Sequence, residues 1–247
     1  MKISKKVWNK YIKNLHMLNE EAANMITAYV AAHDVDSEEG MAALIAYSFA
    51  IATKYGEGTA ALSAQMYDAI ATASGKHLPP AVPAQTASYN TTARTVQGAR
   101  LFSKEPQVVG SAIGRLVKQV GADTTLQNAI RDGAEFAWIP SGDTCAFCLA
   151  LASRGWQRAR KKTLNGGHAE HIHNNCDCAY AIRFDGDSDV EGYDHEKYYN
   201  WYKSEPGTPD QKINAMQREI NAQNREAYNA RKRAEYARRK ERENPTE

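Results

Sequence analysis

The sequence predicts a mainly α protein: a helical N-terminal half, a small α+β module stapled by zinc, and a long C-terminal helical tail. Three observations lead to this fold class. Apolar residues recur at three- and four-residue steps before residue 135, all four cysteines lie between positions 145 and 178, and the helical spacing returns after residue 211. With 247 residues, 43% of them hydrophobic, the chain is long enough to bury a sizeable core.

Changes in composition divide the chain into five predicted segments. In order, they are an N-terminal helical segment (1–75), a Pro-rich connector (76–85), helices with a Cys/His zinc-binding module (86–184), an acidic connector (185–210) and a basic helical tail (211–247). The acidic connector has eight acidic and two basic residues, whereas the tail has ten basic and six acidic ones. The net charge of +2 is too small to indicate nucleic-acid binding, but this asymmetry is notable.

Three helices are predicted in the first segment. The first covers 4–32 with Ser4 as its N-cap, and the second begins at Asp36, whose carboxylate suits a capping box with Glu39. We expect Gly56-Glu-Gly58 to end the second helix, and the third to cover 59–74.

The connector is expected to lack regular structure. Gly75 suits a left-handed C-cap, and Pro79, Pro80 and Pro83 each fix φ and remove a backbone donor across 76–84. Helices are then expected over 86–101 and 106–120 and from Asp123 to Ala134, so that six helices precede the cysteines. No strand is predicted before Phe136–Ile139.

The pattern changes after Pro140. A short helix is expected over 144–154 and a strand over 179–184, followed by an aromatic-rich helix over 193–202. Ser204–Pro209 is a break. The tail then reads as one helix with a weak heptad seam of Ile213, Met216, Ile220, Gln223, Ala227, Ala230, Ala234 and Ala237.

The cysteines have the spacing of a zinc site. Cys145-x-x-Cys148 supplies two thiolates from one turn, and His173-x-x-Cys176-x-Cys178 offers three further ligands for the two remaining places. Cys145, Cys148 and Cys176 are the strongest choices, and the fourth ligand is His173 or, as a close rival, Cys178. The alternatives are buried thiols or a disulfide such as Cys145–Cys178. Clustering of this kind suits a metal in a reducing compartment better than a disulfide framework.

Catalytic hypotheses for the same region have less support from the sequence. A nucleobase deaminase places His-x-Glu before its cysteine pair, whereas His168-Ala-Glu170 follows Cys145 and Cys148 here. A zinc-dependent nuclease or hydrolase acting on nucleic acid, using the loop at Gly166-Gly-His168, is the better alternative, but no Asp-His pair beside a strand supports it. Thiols paired at ligand spacing also make a cysteine nucleophile a poor fit. We therefore expect a structural site and no enzyme.

The tail carries a basic cluster that suits phosphate groups, although acidic neighbours make a solvated helix the stronger reading. Self-association is a further option. The cluster consists of Arg231, Lys232, Arg233, Arg238, Arg239 and Lys240. Neither a membrane-spanning run nor a signal peptide is predicted, because no apolar stretch approaches the roughly 20 residues required and no cleavage site follows the basic N-terminus.

Several of these residues resemble a known family. The run from Trp138 to Cys148, then Gly155-Trp156, then His171-Ile-His-Asn-Asn-Cys-Asp-Cys178 resembles the Cys/His region of tailed-phage minor capsid proteins, the head-morphogenesis group related to the Mu F protein. The helical part, including Tyr55–Tyr67, also looks like these proteins, and the resemblance covers roughly 5–185. Asp177 is a departure, because relatives often have Arg there, and it weakens any phosphate-binding role for that dipeptide.

The resemblance implies a structural protein with no catalytic role. Such a protein is made in the bacterial cytoplasm, enters the virion, lies inside the phage head beside the portal or major capsid protein, and is associated with packaged DNA and its ejection. By the same resemblance, Cys145, Cys148, His173, Cys176 and Cys178 match the motif positions and take a structural zinc.

Overall fold

A computed structural model of the protein describes residues 2–142, 144–164, 178–186 and 188–243. The described chain is mainly helical with a few short strands, which confirms that part of the predicted fold class. Its helices, in chain order, are α1 (Lys5–Ala32), α2 (Glu38–Ala73), α3 (Tyr89–Phe102), α4 (Pro106–Asp132), α5 (Ala146–Ala152), α6 (Lys161–Leu164), α7 (His195–Ser204) and α8 (Pro209–Glu243). Its strands are β1 (Lys2–Ile3), β2 (Glu135–Ile139), β3 (Gln157–Arg158), β4 (Ala179–Arg183) and β5 (Asp189–Val190).

The chain forms two compact units, which are described separately below. Unit 1 comprises residues 1–143 and 155–193, and unit 2 comprises residues 144–154 and 194–247. Neither unit is a continuous stretch of chain. Unit 1 contains α1–α4, α6 and all the described strands, whereas unit 2 contains α5, α7 and α8.

The first helix follows the prediction, and the second corrects it. Ser4 caps α1 by accepting the Val7 amide at 3.3 Å. The cap of α2 is Ser37 rather than Asp36, because the Ser37 hydroxyl accepts the Gly40 amide at 3.1 Å. The Asp36 carboxylate instead accepts hydrogen bonds from Arg100 at 2.7 Å and Lys104 at 2.8 Å. Those partners lie more than 60 residues away, so the local pattern did not reveal them.

The predicted break at Gly56-Glu-Gly58 is wrong, because α2 continues through both glycines to Ala73. A Cβ atom at Gly56 would lie 2.9 Å from Thr86 Cγ2 and 3.2 Å from Val120 Cγ2. Glycine therefore permits close approach of α2 to the connector and to α4 rather than ending the helix. The helix closes as predicted at Gly75, whose φ is 67°.

The connector between α2 and α3 is irregular, as predicted, but side chains hold it firmly. Asp68 Oδ1 accepts the Ala81 amide at 2.8 Å, and Thr124 Oγ1 accepts the Ala84 amide at 2.9 Å. The Asn128 side chain accepts the Val82 amide and donates to its carbonyl, each at 2.9 Å. These bonds satisfy backbone groups that a helix or sheet would otherwise pair.

A charged cluster fixes the start of the same connector. The Arg131 guanidinium donates to both Asp132 carboxylate oxygens at 2.7 Å and to the Pro79 and Pro80 carbonyls. The Tyr67 hydroxyl donates to Asp132 Oδ2 at 2.8 Å. Burial, more than the neighbouring carboxylate, raises the pKa of Tyr67 well above its ordinary value. The Arg131 bonds, and to a smaller extent the Tyr67 bond, hold the pKa of Asp132 below its ordinary value although burial opposes them.

The two helices predicted over 106–120 and from Asp123 are one helix, α4. Asp123 lies inside it and accepts a hydrogen bond from Gln119, one turn earlier, so it is not a cap. With the two parts of α2 also joined, four helices rather than six precede the cysteines over residues 2–142. The core of unit 1 is formed by α1 to α4, and its fully buried side chains include Ile26, Leu44, Val96, Ile113 and Val117.

Glycines allow α1 and α4 to approach closely. A Cβ atom at Gly110 would lie 2.2 Å from Thr27 Oγ1 and 2.5 Å from the Ala23 carbonyl oxygen. At Gly114 it would lie 3.3 Å from Ala23 Cβ. The helices therefore meet along a surface with no room for a methyl group at Gly110.

Short strands complete unit 1. The predicted strands at 136–139 and 179–184 are confirmed as β2 and β4, which pair antiparallel with Ile139 opposite Ala179, and β3 pairs with the other edge of β2. The expectation of no strand before Phe136 is wrong, because β1 pairs parallel with β5, with Ile3 opposite Val190. The Lys5 amide also donates to Glu191 Oε2 at 2.8 Å. A two-residue strand is too short to show a hydrophobic periodicity, and its partner lies far along the chain.

Unit 2 is built on a small apolar cluster. Ala146, Leu149 and Met216 are buried, and half-buried residues pack around them: Tyr198, Trp201, Tyr202, Ile213 and Ile220. The predicted aromatic helix and tail helix are confirmed as α7 and α8. Polar contacts support the cluster, since Trp201 Nε1 donates to Glu219 Oε2 at 3.0 Å.

Candidate metal centre

The first cysteine pair lies at the start of α5 in unit 2. Cys145 is the N-cap residue, with extended φ and ψ of −73° and 159°, and Cys148 lies in the first turn of the helix. A three-residue separation across a helix start places two side chains on one side of the turn. Cys148 is fully buried and Cys145 is half-buried. The predicted helix at the CxxC motif is therefore confirmed.

A neighbouring helix of the same unit supports this turn. The Ala146 amide, one of the first-turn donors of α5 that no helical carbonyl can accept, donates to Gln217 Oε1 of α8 at 3.0 Å. Ala146 and Leu149 pack with Met216 of α8. The CxxC turn is thus anchored by both a hydrogen bond and apolar contacts.

The last cysteine lies in unit 1, immediately before β4. Cys178 is 1% exposed and lines a cavity of about 20 Å³ together with Tyr11, Leu15, Gly121 and Trp138. The pairing of Ile139 with Ala179 places Cys178 at the end of β2 from which the chain leaves toward Cys145. The register of the β2–β4 pair thus holds Cys178 within unit 1.

The described residues include three of the five predicted ligands. His173 and Cys176 lie outside them, as do His168, Glu170 and His171, on which the nuclease reading depended. Within the described ranges no group of three or more Cys, His, Asp or Glu side chains is arranged to hold a metal ion. The zinc site stays a prediction. For three of its predicted ligands, Cys145, Cys148 and Cys178, the structure gives the burial and the local backbone geometry.

An arginine–tryptophan cluster beside β4 was not predicted as a unit. Arg183 donates through Nε to Glu135 Oε2 at 2.6 Å, and its guanidinium lies 4.7 Å from the centre of the Trp156 ring. Trp156 Nε1 donates to Asp189 Oδ1 at 3.2 Å. These contacts join β2, β4, β5 and the segment after α5. The available signal was Gly155-Trp156, which belongs to the family resemblance, but no local pattern indicated Arg183.

The tail helix has a buried beginning and an exposed continuation. Met216 is fully buried, and Ile213 and Ile220 are half-buried, so the first part of the predicted seam packs within unit 2. All residues over 221–227 are exposed, as is Arg233 of the basic cluster. Arg218, Arg225 and Arg233 share one face of α8 with Asn221 and Asn229. Among the described helices, none is both long enough and apolar enough to cross a membrane.

The sequence profile of the VG15 protein family matches residues 2–205. This range covers α1 to α7, both cysteine motifs and the arginine–tryptophan cluster, and it ends before α8. No curated protein and no solved structure matches the chain. Because the match covers well over half of the sequence, the chain belongs to the VG15 protein family, a phage gene family.

Proposed function

We propose that this protein is a structural minor head protein of a tailed bacteriophage, related to the Mu F group, that lies inside the head and contacts the portal or major capsid protein. The observation that carries the proposal is the family match over residues 2–205, which contains the whole region, roughly 5–185, that resembles minor capsid proteins. The helical unit and the Cys/His region thus fall within one phage family.

Protein content of purified particles tests this role. We expect the chain in heads purified from infected cells, and we expect it to resist added protease until the heads are opened. A protein found only in the cell lysate would contradict the structural role, whereas a protein digested on intact heads would contradict only the interior location. Co-expression with the portal protein and with the major capsid protein, followed by affinity purification, distinguishes the two proposed partners.

We further propose that zinc occupies a structural site drawn from Cys145, Cys148, His173, Cys176 and Cys178. The spacing of Cys145-x-x-Cys148 and His173-x-x-Cys176-x-Cys178 supports this site, and buried Cys148 and Cys178 suit thiolate ligands. When bound, zinc supplies four strong ligand bonds and no reaction, because a site closed by four protein ligands has no open position. Structural zinc contributes on the order of 10 kcal/mol to folding in small metal-dependent domains.

Metal analysis of single variants tests the ligand set. We expect about one zinc per chain in the wild type and loss of zinc in Cys145→Ser, Cys148→Ser and Cys176→Ser. Of His173→Ala and Cys178→Ser, only the variant that removes the fourth ligand should lose zinc, and His171→Ala is the matched control. Circular dichroism of each variant separates ligand loss from global unfolding. A wild-type protein without zinc when purified from zinc-supplemented cells would overturn the proposal.

The proposed structural role involves no catalysis, and an assay for nuclease activity tests this. Purified protein should leave DNA intact in the presence of added Mg²⁺ or Mn²⁺. Cleavage that His168→Ala abolishes, with zinc content unchanged, would replace the structural assignment with an enzymatic one.

DNA is the proposed ligand of the basic tail. Arg233 is exposed, and the cluster contains Arg231, Lys232, Arg233, Arg238, Arg239 and Lys240. Each phosphate contact releases counterions, so the logarithm of the binding constant should fall steeply as salt rises. Replacing Arg238, Arg239 and Lys240 by Gln should weaken binding to all sequences alike. The slope of the logarithm of the binding constant against the logarithm of the salt concentration should become shallower by about two to three. Unchanged binding would remove the tail from the interface.

A further inference from the structure

The second half of α8 is a helix with no described partner surface. Residues 221–227, 229, 230 and 233 are all exposed, although the helix continues to Glu243. A helix that is solvated on every side depends on intrahelical pairs or on a partner for its stability. The side chains of α8 over 221–227 and at 229, 230 and 233 are therefore available to another chain.

The face that packs within unit 2 continues into this exposed part. Ile213, Met216 and Ile220 line the apolar cluster of unit 2, and the same alternation of three and four residues leads to Gln223, Ala227 and Ala230. In heptad notation, Ile220 and Ala227 occupy position a, and Gln223 and Ala230 occupy position d. Met216, at the preceding d position, is fully buried within unit 2, so this face of α8 is the one that turns inward over its first turns.

Charges beside this seam have a two-fold pattern. The g positions, which flank a, carry Glu219, Glu226, Arg233 and Lys240 in that order, so their sign reverses halfway along. In an antiparallel pair, g positions face g positions of the partner helix. The register that places Ala227 beside Ala230 of a second copy also places Glu226 opposite Arg233 and Glu219 opposite Lys240. All four cross-chain pairs, two of each kind, are then attractive.

A parallel pair does not fit as well. In that arrangement, g positions face e positions five residues further along the partner. Glu226 would then lie opposite Arg231 twice and Arg233 opposite Arg238 twice, so two attractive pairs are offset by two repulsive ones. Charges at e and g positions select orientation, and this like-charge contact disfavours the parallel form.

We propose that α8 of one chain pairs antiparallel with α8 of a second copy through the seam at Gln223, Ala227 and Ala230, with Glu226 and Arg233 as reciprocal partners. This pairing does not depend on the proposed place in the phage head, but it uses Arg233 and Lys240, which also belong to the basic cluster proposed to bind DNA. Its mostly alanine seam buries little apolar area, so the dimer forms reversibly and its population rises with protein concentration.

Reciprocal charge reversal tests both partner and orientation. Sedimentation equilibrium of the full chain over a range of concentrations measures the dimer dissociation constant. Glu226→Arg and Arg233→Glu should each raise that constant by about tenfold at low salt, because each change turns two attractive pairs into repulsive ones. The double variant, E226R with R233E, should restore wild-type affinity. An equimolar mixture of the two single variants should form a heterodimer preferentially, because both reciprocal pairs are attractive in it.

A matched control isolates the seam from general charge effects. Arg225→Glu changes the net charge as much as Arg233→Glu, but Arg225 occupies position f, the position farthest from the a/d seam, whereas Arg233 flanks the seam at position g. It should leave the dissociation constant within about twofold of the wild type at moderate salt. Both substituted residues are exposed, so neither variant should unfold the protein. A monomeric wild type, equal effects of R225E and R233E, or tighter association of R233E, which a parallel pair predicts, would each overturn the proposal.

Discussion

The two units differ in what limits their stability. Unit 1 has a large core contributed by four helices, and its closest helix contact leaves no room for a methyl group at Gly110. Unit 2 buries only Ala146, Leu149 and Met216 in its described cluster and relies on half-buried aromatic rings and single polar contacts. Added atoms should therefore damage unit 1 most, and removed atoms should damage unit 2. Small cores gain little free energy from burial, so each buried side chain of unit 2 accounts for a larger share of its stability.

The largest expected effect comes from adding one methyl group to unit 1. Gly110→Ala should lower the free energy of unfolding by about 3 kcal/mol or more, since the new Cβ meets the Ala23 carbonyl oxygen and α1 must move away from α4. Urea denaturation measures the change. Gly98→Ala in α3 is the matched control, because nothing lies within 4 Å of its added Cβ. It should raise stability by about 0.5–1 kcal/mol through helix propensity. Equal losses in both variants would show that packing is not the cause.

A smaller, local effect should follow from removing atoms in unit 2. Met216→Ala leaves a gap beside Ala146 and Leu149 and should cost about 2–3 kcal/mol. Hydrogen exchange should show faster exchange of backbone amides in α5, α7 and the first turns of α8, while α1 to α4 keep their protection. Arg218→Ala, at an exposed position of the same helix, should leave exchange unchanged. Equal loss of protection in α1 to α4 would show that the two units unfold together.

The smallest expected effect concerns charge in unit 1 and depends on pH. Asp132→Asn should cost about 1–2 kcal/mol at neutral pH, because it weakens the bonds from Arg131 and Tyr67. The folded pKa of Asp132 lies below its ordinary value of 3.8. The contribution of the carboxylate is therefore complete above that value and is lost as the pH falls through the folded pKa.

Stability measured against pH checks this expectation. The difference between wild type and Asp132→Asn should shrink as the pH falls below about 4. Tyr67→Phe, which removes one donor and keeps the carboxylate, should cost about 1 kcal/mol at neutral pH. A difference between wild type and D132N that is the same at pH 3 and pH 7 would contradict the role of the charged form.

Local chemistry made the helices and the two main strands predictable, and distant contacts limited the rest. Ser4 and Gly75 act as their sequence context indicates, because capping depends on neighbouring residues. The predicted roles of Gly56 and Asp36 were wrong, because contacts with residues far away in the sequence set their roles. These residues are Thr86 and Val120 for Gly56, and Arg100 for Asp36. Tertiary contact replaced the local preference in both cases.

The candidate site was only partly predictable, because some of its features depend on neighbouring residues and others on distant contacts. The spacing of Cys145 and Cys148 predicts a helix start, which the structure has, and the strand before Pro140 and the strand after Cys178 were both identified from composition. Their antiparallel register, with Ile139 opposite Ala179, is a long-range property that spacing alone does not supply. The Arg183–Trp156 contact is of the same kind.

The pairing of β1 with β5 has a consequence for the order in which the protein is assembled during synthesis. Ile3 pairs with Val190, so β1 cannot pair until almost 190 residues after it have been synthesised. Likewise, α5 is synthesised before α7 and α8, against which it packs. The helices α1 to α4 can associate early, but neither unit is finished until the chain beyond residue 190 has emerged. Translation speed over the codons that follow α4 therefore sets how long both units stay incomplete.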